Sequence, residues 1–374
     1  MSIEFIWRLP VAGDGRSSHS DEWNRGDYKN PANHRNHFSR LGLQRDGYTY
    51  YDLLAQIARA AELNGFNGVF VPQSSNGEEP QIVAGALARE TKRINFIVSL
   101  PTALLSAVYS AKIANSYQRL SGGRLHWHLH HADVHEPAWH GQSWPLQEQI
   151  ERSAEFLQVT NGFWNQAPFT FEGKYFLVEN GGFAKALQGQ QHPPVYLDGL
   201  SDEIKSLSAQ RADVHILKAA PLDVIAEQVD DLRGRAAAQG RQLKIYLSTE
   251  VLARHEDTSA WEELQQRYQD AAHKTVSLRA NDNSASAQHS FNSFKLDPLV
   301  WNGFDLLREG DAAGLVGSYA QISERLNAYS RLGISGFILG ANPHLEEAWR
   351  LGEHLLPRVR AAQQKTTQTT PQSA

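Results

Sequence analysis

The chain has 374 residues and a formal net charge of −5, with 36 Lys and Arg against 41 Asp and Glu, and no block of like charge that would indicate a nucleic-acid or membrane surface. It contains no cysteine, which excludes disulfides, thiolate metal sites, iron–sulfur clusters and thiol catalysis. No apolar run approaches the roughly 20 residues that span a bilayer, and the first residues show no signal-peptide pattern. We therefore expect a cytoplasmic protein with no membrane or nucleic-acid partner.

Segments of strand character alternate with segments of helical spacing along most of the chain. The predicted strands are 3–9, 68–72, 94–100, 125–131, 194–197, 212–217, 243–252 and 336–339. The predicted helices are 50–63, 79–89, 106–120, 148–164, 224–237, 258–276, 318–332 and 345–355, with another helix after 194–197. A hairpin is predicted at 167–179, with Gly173 at its turn.

Short apolar strands separated by helices are typical of parallel β-α-β units. About eight such units predict an α/β fold, a single (β/α)8 TIM barrel with insertion segments, over residues 1–360. A doubly wound sheet is the alternative, but no Gly-x-Gly-x-x-Gly follows the first strand. Residues 278–295 break the rhythm and predict a lid, a binding loop or disorder. Residues 361–374, rich in Gln and Thr, predict a disordered tail.

A histidine-rich segment at the end of the fourth predicted strand is the clearest local oddity. It reads His126-Trp127-His128-Leu129-His130-His131. Strand side chains alternate, so His126, His128 and His130 share one face. Barrel sites lie at the C-terminal strand ends, so these histidines are expected to line a pocket. Structural or surface roles, or a shared metal ion, are the alternatives.

Two further strand ends carry candidate groups. Glu250 lies near the end of the seventh strand and is either a general acid or base or a partner of Lys218 or Arg308. Ser201 begins a helix and is an N-cap candidate, and the same helix N-terminus suits a phosphate. Trp7, Trp127 and Trp301 are core residues or stack on a ring-shaped ligand.

Several motifs resemble one enzyme family. Pro298-Leu299-Val300-Trp301-Asn302-Gly303, Gly333-Ile334-Ser335-Gly336-Phe337-Ile338-Leu339 and Pro343-His344-Leu345-Glu346-Glu347-Ala348 are similar to the alkanesulfonate monooxygenase branch of the luciferase-like flavin-dependent monooxygenases. The resemblance implies a luciferase-like barrel and a two-component system. A separate NAD(P)H-dependent flavin reductase would supply reduced FMN (FMNH2), which would act with O2 on a small organic substrate in a site closed to water. It also implies a homo-oligomer.

The candidate site residues are chosen by their placement at strand ends and in the late loop region, and among the catalytic candidates only Arg308 matches the family pattern. His128, His130, Glu250 and Arg308 are the catalytic candidates, and Asn76, His128, Gly199, Leu200 and Ser201 are the cofactor-binding candidates, with no metal ligand among them.

Other positions depart from the family pattern. Gly77 stands where the sulfonate enzymes have a cysteine, Lys218 where they have a tryptophan, Asn342 where they have a tyrosine, and Ser248 and Glu250 where they have an arginine and a histidine. The substrate is therefore expected not to be a simple alkanesulfonate. The alternatives are a catalytically altered partner subunit of the same fold and, less favoured, a metal-dependent barrel enzyme that uses the segment His126–His131.

Overall fold

A computed structural model describes residues 3–11, 50–74, 77–131, 144–279, 290–308 and 310–368. None of the helices in these ranges is long and apolar enough to cross a membrane.

Strands and helices alternate along the described chain. The strands are β1 (Glu4–Arg8), β2 (Gly68–Val71), β3 (Asn95–Pro101), β4 (Leu125–His130), β5 (Phe169–Glu172), β6 (Leu177–Gly181), β7 (Val195–Asp198), β8 (Val214–Lys218), β9 (Lys244–Arg254), β10 (Val300–Asn302), β11 (Ala313–Ser318) and β12 (Gly336–Gly340). The helices are α1 (Tyr50–Leu63), α2 (Pro80–Glu90), α3 (Ala107–Ser121), α4 (Leu146–Asn165), α5 (Asp202–Arg211), α6 (Leu222–Ala238), α7 (Asp257–Arg279), α8 (Tyr319–Leu332), α9 (His344–His354) and α10 (Leu356–Gln368).

The chain divides into two compact units. The first unit comprises Met1–Asn67, Leu217–Val229 and Tyr246–Ala374. In it, β12 pairs in parallel with both β1 and β9, and the outer half of β9 pairs in parallel with β11. Strand β10 adds an antiparallel edge to β11. Residue Glu250 stands where β9 passes from β12 to β11, opposite Gly340 on one side and Gly314 on the other.

The second unit comprises Gly68–Ile216 and Asp230–Ile245. Its strands pair in parallel in the order β2-β3-β4-β7-β8. Apolar residues of strands and helices form its core, and helix caps set several boundaries. Ser106 caps α3 at its first turn, and Gly122 ends the helix in the left-handed conformation at φ 74°.

Eight of the parallel strands in the described residues correspond to the eight predicted strands, each is followed by a helix, and they confirm the predicted (β/α)8 class. They are β1, β2, β3, β4, β7, β8, β9 and β12, and the hairpin β5–β6 is confirmed as well. Strands β10 and β11 were not predicted: β10 has only 3 residues, and Gly314 and Gly317 interrupt the apolar run of β11. Gly314 is required there, since a Cβ would collide with the Phe304 ring.

Two predicted irregular segments carry helix in part. Helix α7 continues to Arg279 and a short 3-10 helix covers Phe291–Phe294, while residues 280–289 lie outside the described ranges. Helix α10 runs to Gln368, into the segment predicted as a tail. The tail and the single domain over 1–360 stay predictions.

Candidate active site

A group of charged side chains gathers at the strand ends of the first unit. Arg8 is the last residue of β1, Lys218 is the last residue of β8, and Ser248 and Glu250 lie on β9. The loop before β11 and the start of α9 complete the group. We call these residues the strand-end charge cluster: Arg8, Lys218, Ser248, Glu250, Arg308, Asp311 and His344.

Asp311 is the centre of one half of the cluster. Its Oδ1 accepts from Lys218 Nζ at 2.6 Å and lies 3.3 Å from Arg8 Nη1, while the Ser248 hydroxyl donates to Oδ2. Burial alone would raise the pKa of Asp311, but the charges of Lys218 and Arg8 and the hydrogen bonds from Lys218 and Ser248 outweigh it and hold the pKa well below its usual range. Asp311 is therefore a charged group that ties β1, β8 and β9 together.

Glu250 and Arg308 form the other half. Both are almost fully buried and form an ion pair through Arg308 Nη2 and Glu250 Oε2. Arg308 Nη1 also donates to His344 Nε2 at 3.0 Å. Arginine has no acceptor, so Nε2 of His344 is the acceptor in this contact.

Glycines make the room for the Glu250 carboxylate. A Cβ on Gly340 would lie 2.5 Å from Glu250 Oε1, and a Cβ on Gly310 would lie 2.7 Å from the same atom. Both distances are far shorter than van der Waals contact, so alanine at either position would displace the carboxylate. The carboxylate thus fills a space that is open because residues 310 and 340 have no side chain.

A second ion network holds the helix that carries His344. Glu347 is fully buried on α9 and pairs with Arg254 at 3.1 Å and with Arg350 at 2.6 Å. Arg267 of α7 donates to the carbonyl of Asn342 at 3.1 Å. These contacts fix the segment before His344, and they position the imidazole for Arg308.

The second unit contains the histidine-rich strand end. His128 is buried, with Nδ1 2.9 Å from Ser99 Oγ on β3 and Nε2 3.0 Å from Asp198 Oδ1 on β7. The Phe70 ring lies edge-on to the imidazole at 5.2 Å. Asp198 accepts only from a protonated Nε2, so Nδ1 of a neutral His128 accepts from the Ser99 hydroxyl. The result is a hydrogen-bonded Ser–His–Asp chain, with the partly exposed Asp198 at its open end.

The neighbouring histidines have separate partners. His126 stacks on Tyr196 and lies 3.1 Å from its hydroxyl. His131 Nε2 lies 3.0 Å from Ser153 Oγ, which in turn lies 2.6 Å from Thr102 Oγ1. Burial lowers the pKa of His131 to about 4. Among the described residues no three potential ligands come together around a metal position. Both nitrogens of His128 are engaged by protein, so a metal role for it would require breaking these contacts.

The turn between β7 and α5 was predicted to hold the phosphate of the cofactor. The Ser201 hydroxyl caps α5 and accepts from Ile204 N at 3.3 Å, which confirms the predicted N-cap. Gly199 has φ 126°, and a Cβ there would lie 2.6 Å from Ile204 Cδ1, so only glycine suits the turn. Asp198 ends the preceding strand, and Asp202 and Glu203 lie in the first turn of the helix. The binding of a cofactor phosphate by Gly199, Leu200 and Ser201 stays a prediction.

A pH-dependent contribution to stability comes from His215 on β8. This side chain is fully buried, Ser208 Oγ lies 2.8 Å from its Nδ1, and burial lowers its pKa from 6.5 to about 4. On acidification the unfolded chain takes up the proton first, so stability falls between about pH 6.5 and pH 4.

We expect His215→Asn to weaken this dependence. The wild type should lose about 2 kcal/mol from His215 between pH 7 and pH 5, whereas asparagine has no charge to gain. Urea unfolding at both pH values measures the difference. Parallel losses in wild type and variant would contradict the assignment.

The predicted site residues fall in both units. Glu250 and Arg308 are brought together in the first, while His128, His130, Gly199, Leu200 and Ser201 lie in the second. Asn76 lies outside the described residues. The convergence of His128 and His130 with Glu250 and Arg308 stays a prediction.

Sequence reasoning missed four partners: Arg8, Ser99, Asp198 and Asp311. Arg8 lies one residue before the end of predicted strand 3–9, and Asp198 directly follows predicted strand 194–197, so their position at strand ends was a signal that could have found them. Asp311 lies in a loop with no strand prediction, and Ser99 is an ordinary small residue in an apolar strand.

The three tryptophans considered for ring stacking are fully buried core residues. Trp127 points away from His128, toward Phe156 and His192. Trp301 is surrounded by aromatic rings, with Phe304 and Phe291 at 5.3 and 5.4 Å. Trp7 packs edge-on against Phe66 and His344.

Comparison with solved structures shows the same fold. The chain is 16% identical to a riboflavin lyase determined with modified FMN and its substrate riboflavin, at a TM-score of 0.72, over 97% of this chain and 92% of that one. It is 17% identical to the EDTA monooxygenase of Chelativorans sp. BNC1, at 0.69, over 97% and 95%. An F420-dependent secondary alcohol dehydrogenase in complex with an F420–acetone adduct is 14% identical, at 0.64, over 96% and 99%.

Sequence comparison identifies the family. The model of the luciferase-like monooxygenases matches residues 36–336, which is most of the chain. The resemblance drawn from the motifs is thereby confirmed, and the chain belongs to the family of luciferase-like monooxygenases.

Proposed function

We propose that the protein is a reduced-flavin-dependent monooxygenase of a two-component system, acting with O2 on a small organic substrate that is not a simple alkanesulfonate. A separate NAD(P)H-dependent flavin reductase is its proposed partner, and a homo-oligomer its proposed assembly. Family membership supports the reaction class. The observation that supports the substrate class is that the strand-end cations are paired with carboxylates.

The cations of the strand-end charge cluster are matched by internal anions. Asp311 compensates Lys218 and Arg8, and Glu250 compensates Arg308. A sulfonate would have to compete with these buried carboxylates for the same donors, and it would lie beside them in a site of low dielectric. This arrangement favours a neutral or cationic substrate.

The proposed roles of the individual side chains follow from their contacts. Arg308 is held by Glu250 and His344, so it presents a fixed charge rather than a mobile one. Asp198, backed by His128 and Ser99, is an accessible carboxylate that can accept or return a proton. His130 is proposed to line the same strand end as His128.

Alkanesulfonates are expected to be poor substrates. With a flavin reductase, NADH and O2, a panel of C1–C10 sulfonates should release sulfite no faster than a reaction without this protein. Loss of a charge-assisted hydrogen bond weakens binding by about 1.5–3 kcal/mol, which is roughly tenfold to over a hundredfold. An authentic alkanesulfonate monooxygenase with the same reductase is the positive control. Robust sulfite release by this protein would overturn the substrate assignment.

Isotope labelling with 18O2 tests the reaction class. Incubation with reductase, NADH, 18O2 and mixtures of neutral and cationic organic compounds should yield a product that carries one 18O atom. Flavin binding without any labelled product would instead support a catalytically altered partner subunit of the same fold.

A further inference from the structure

The turn between β7 and α5 stands at a strand end where an N-terminus of a ten-residue helix is exposed. Such a position ordinarily attracts phosphate, because the free N–H groups and the helix dipole both favour negative charge. In this chain the position is already rich in carboxylates. This conflict bears on which flavin the protein binds. The inference about the flavin rests on the flavin-dependent function proposed above.

The charges around the turn add up to a negative excess. Asp198 ends the strand, and Asp202 and Glu203 occupy the first turn of α5. Asp202 is 77% exposed and pairs with Arg235 at 2.7 Å. Arg235 also pairs with Asp231 at 2.6 Å, and Lys205 is bound to the same Asp231 at 2.9 Å. These two cations are thus already engaged by carboxylates.

The other groups of the turn do not favour phosphate binding. The Ser201 hydroxyl accepts from Ile204 N, one of the first-turn amides that would otherwise face an anion. Leu200, which is 56% exposed, contributes an apolar side chain at the same place. A dianion at this N-terminus would compete with the Ser201 hydroxyl for Ile204 N, and it would lie at a helix end that carries Asp198, Asp202 and Glu203.

We propose that this turn does not hold a phosphate, and that the protein accepts a flavin whose side chain ends in an uncharged hydroxyl. Reduced riboflavin then binds at least as tightly as reduced FMN. A phosphate held by even one charge-assisted hydrogen bond would favour FMN by about tenfold or more. The protein thus recognises the flavin ring system, and the phosphate either adds nothing to flavin affinity or lowers it.

Anaerobic titration of the full chain with reduced riboflavin and with reduced FMN tests this. We expect the dissociation constant of reduced riboflavin to be equal to or lower than that of reduced FMN, within a margin of about threefold. The double variant Asp202→Asn/Glu203→Gln should tighten FMN binding by about twofold to fivefold for each charge removed and leave riboflavin binding unchanged. Glu179→Gln, an exposed carboxylate on β6, is the matched control and should change neither.

Salt provides an independent readout. Raising the ionic strength screens repulsion, so FMN binding should tighten relative to riboflavin, whereas a basic phosphate site loses affinity with salt. A preference for FMN above about threefold, or FMN binding that weakens relative to riboflavin binding at high salt, would each overturn this inference and leave the flavin function standing. Failure of both flavins to bind would instead overturn the proposed function itself.

Discussion

Replacing Glu250 by alanine is expected to lower the free energy of unfolding by about 3–5 kcal/mol, because it leaves a buried guanidinium without its carboxylate. The side chains of Glu250 and Arg308 are only 2% and 8% exposed, so water cannot compensate for the lost partner. The cavity between Gly310 and Gly340 adds to the loss. Urea unfolding followed by circular dichroism measures the change.

A double variant separates the charge from the shape. Glu250→Leu/Arg308→Met removes both ions together, and it should recover much of the stability that Glu250→Ala loses. Gly340→Ala should also destabilise the fold, since the new methyl group would displace the carboxylate. A loss below about 1 kcal/mol for Glu250→Ala would show that the pair is not buried as described.

Asp311→Asn is expected to cost about 3 kcal/mol at pH 7, since Arg8 and Lys218 lose the anion they share. Asparagine keeps the shape of the side chain and one acceptor for Ser248, so the loss is mainly electrostatic. The half-exposed Lys218 can turn to water, which limits the effect. Lys218→Met is therefore expected to cost less than Asp311→Asn.

The pH dependence of this effect has a definite sign. The folded pKa of Asp311 lies below the ordinary 3.8, so the unfolded chain binds the proton first as the pH falls. The stabilisation from Asp311 is full above about pH 4 and is lost below it. The stability gap between wild type and Asp311→Asn should therefore narrow as the pH falls from 5 to 2. A gap that is constant over this range would contradict the ionised Asp311.

Local patterns predicted most of the fold. Helix α1 follows from the spacing of its apolar residues, and Ser201 followed by two acids marked the start of α5. Strand β4 was predicted from the residues that bound it, and the alternation of side chains along a strand placed His128 and Trp127 on opposite faces. These features depend on residues close in sequence, so the sequence alone determines them.

The partners within the site depend on contacts distant in sequence. Ser99 meets His128 because β3 and β4 pair with these two residues in register. Asp311 reaches Lys218 across 93 positions of the chain. The sequence predicted that Glu250 would pair with Lys218 or Arg308, and in the structure it pairs with Arg308. Which of the two it would be depended on the position of the space between Gly310 and Gly340. No periodicity in the sequence encodes such distances.

The most direct measurement is an anaerobic titration of the purified chain with reduced flavin, followed by absorbance and fluorescence. Reduced FMN and reduced riboflavin are titrated in parallel, so that the phosphate does not decide the outcome. Saturable binding with one flavin per chain, followed by flavin reoxidation on adding O2 at a rate different from that of free flavin, is the expected result. Absence of saturable binding for both flavins would contradict a flavin-dependent monooxygenase.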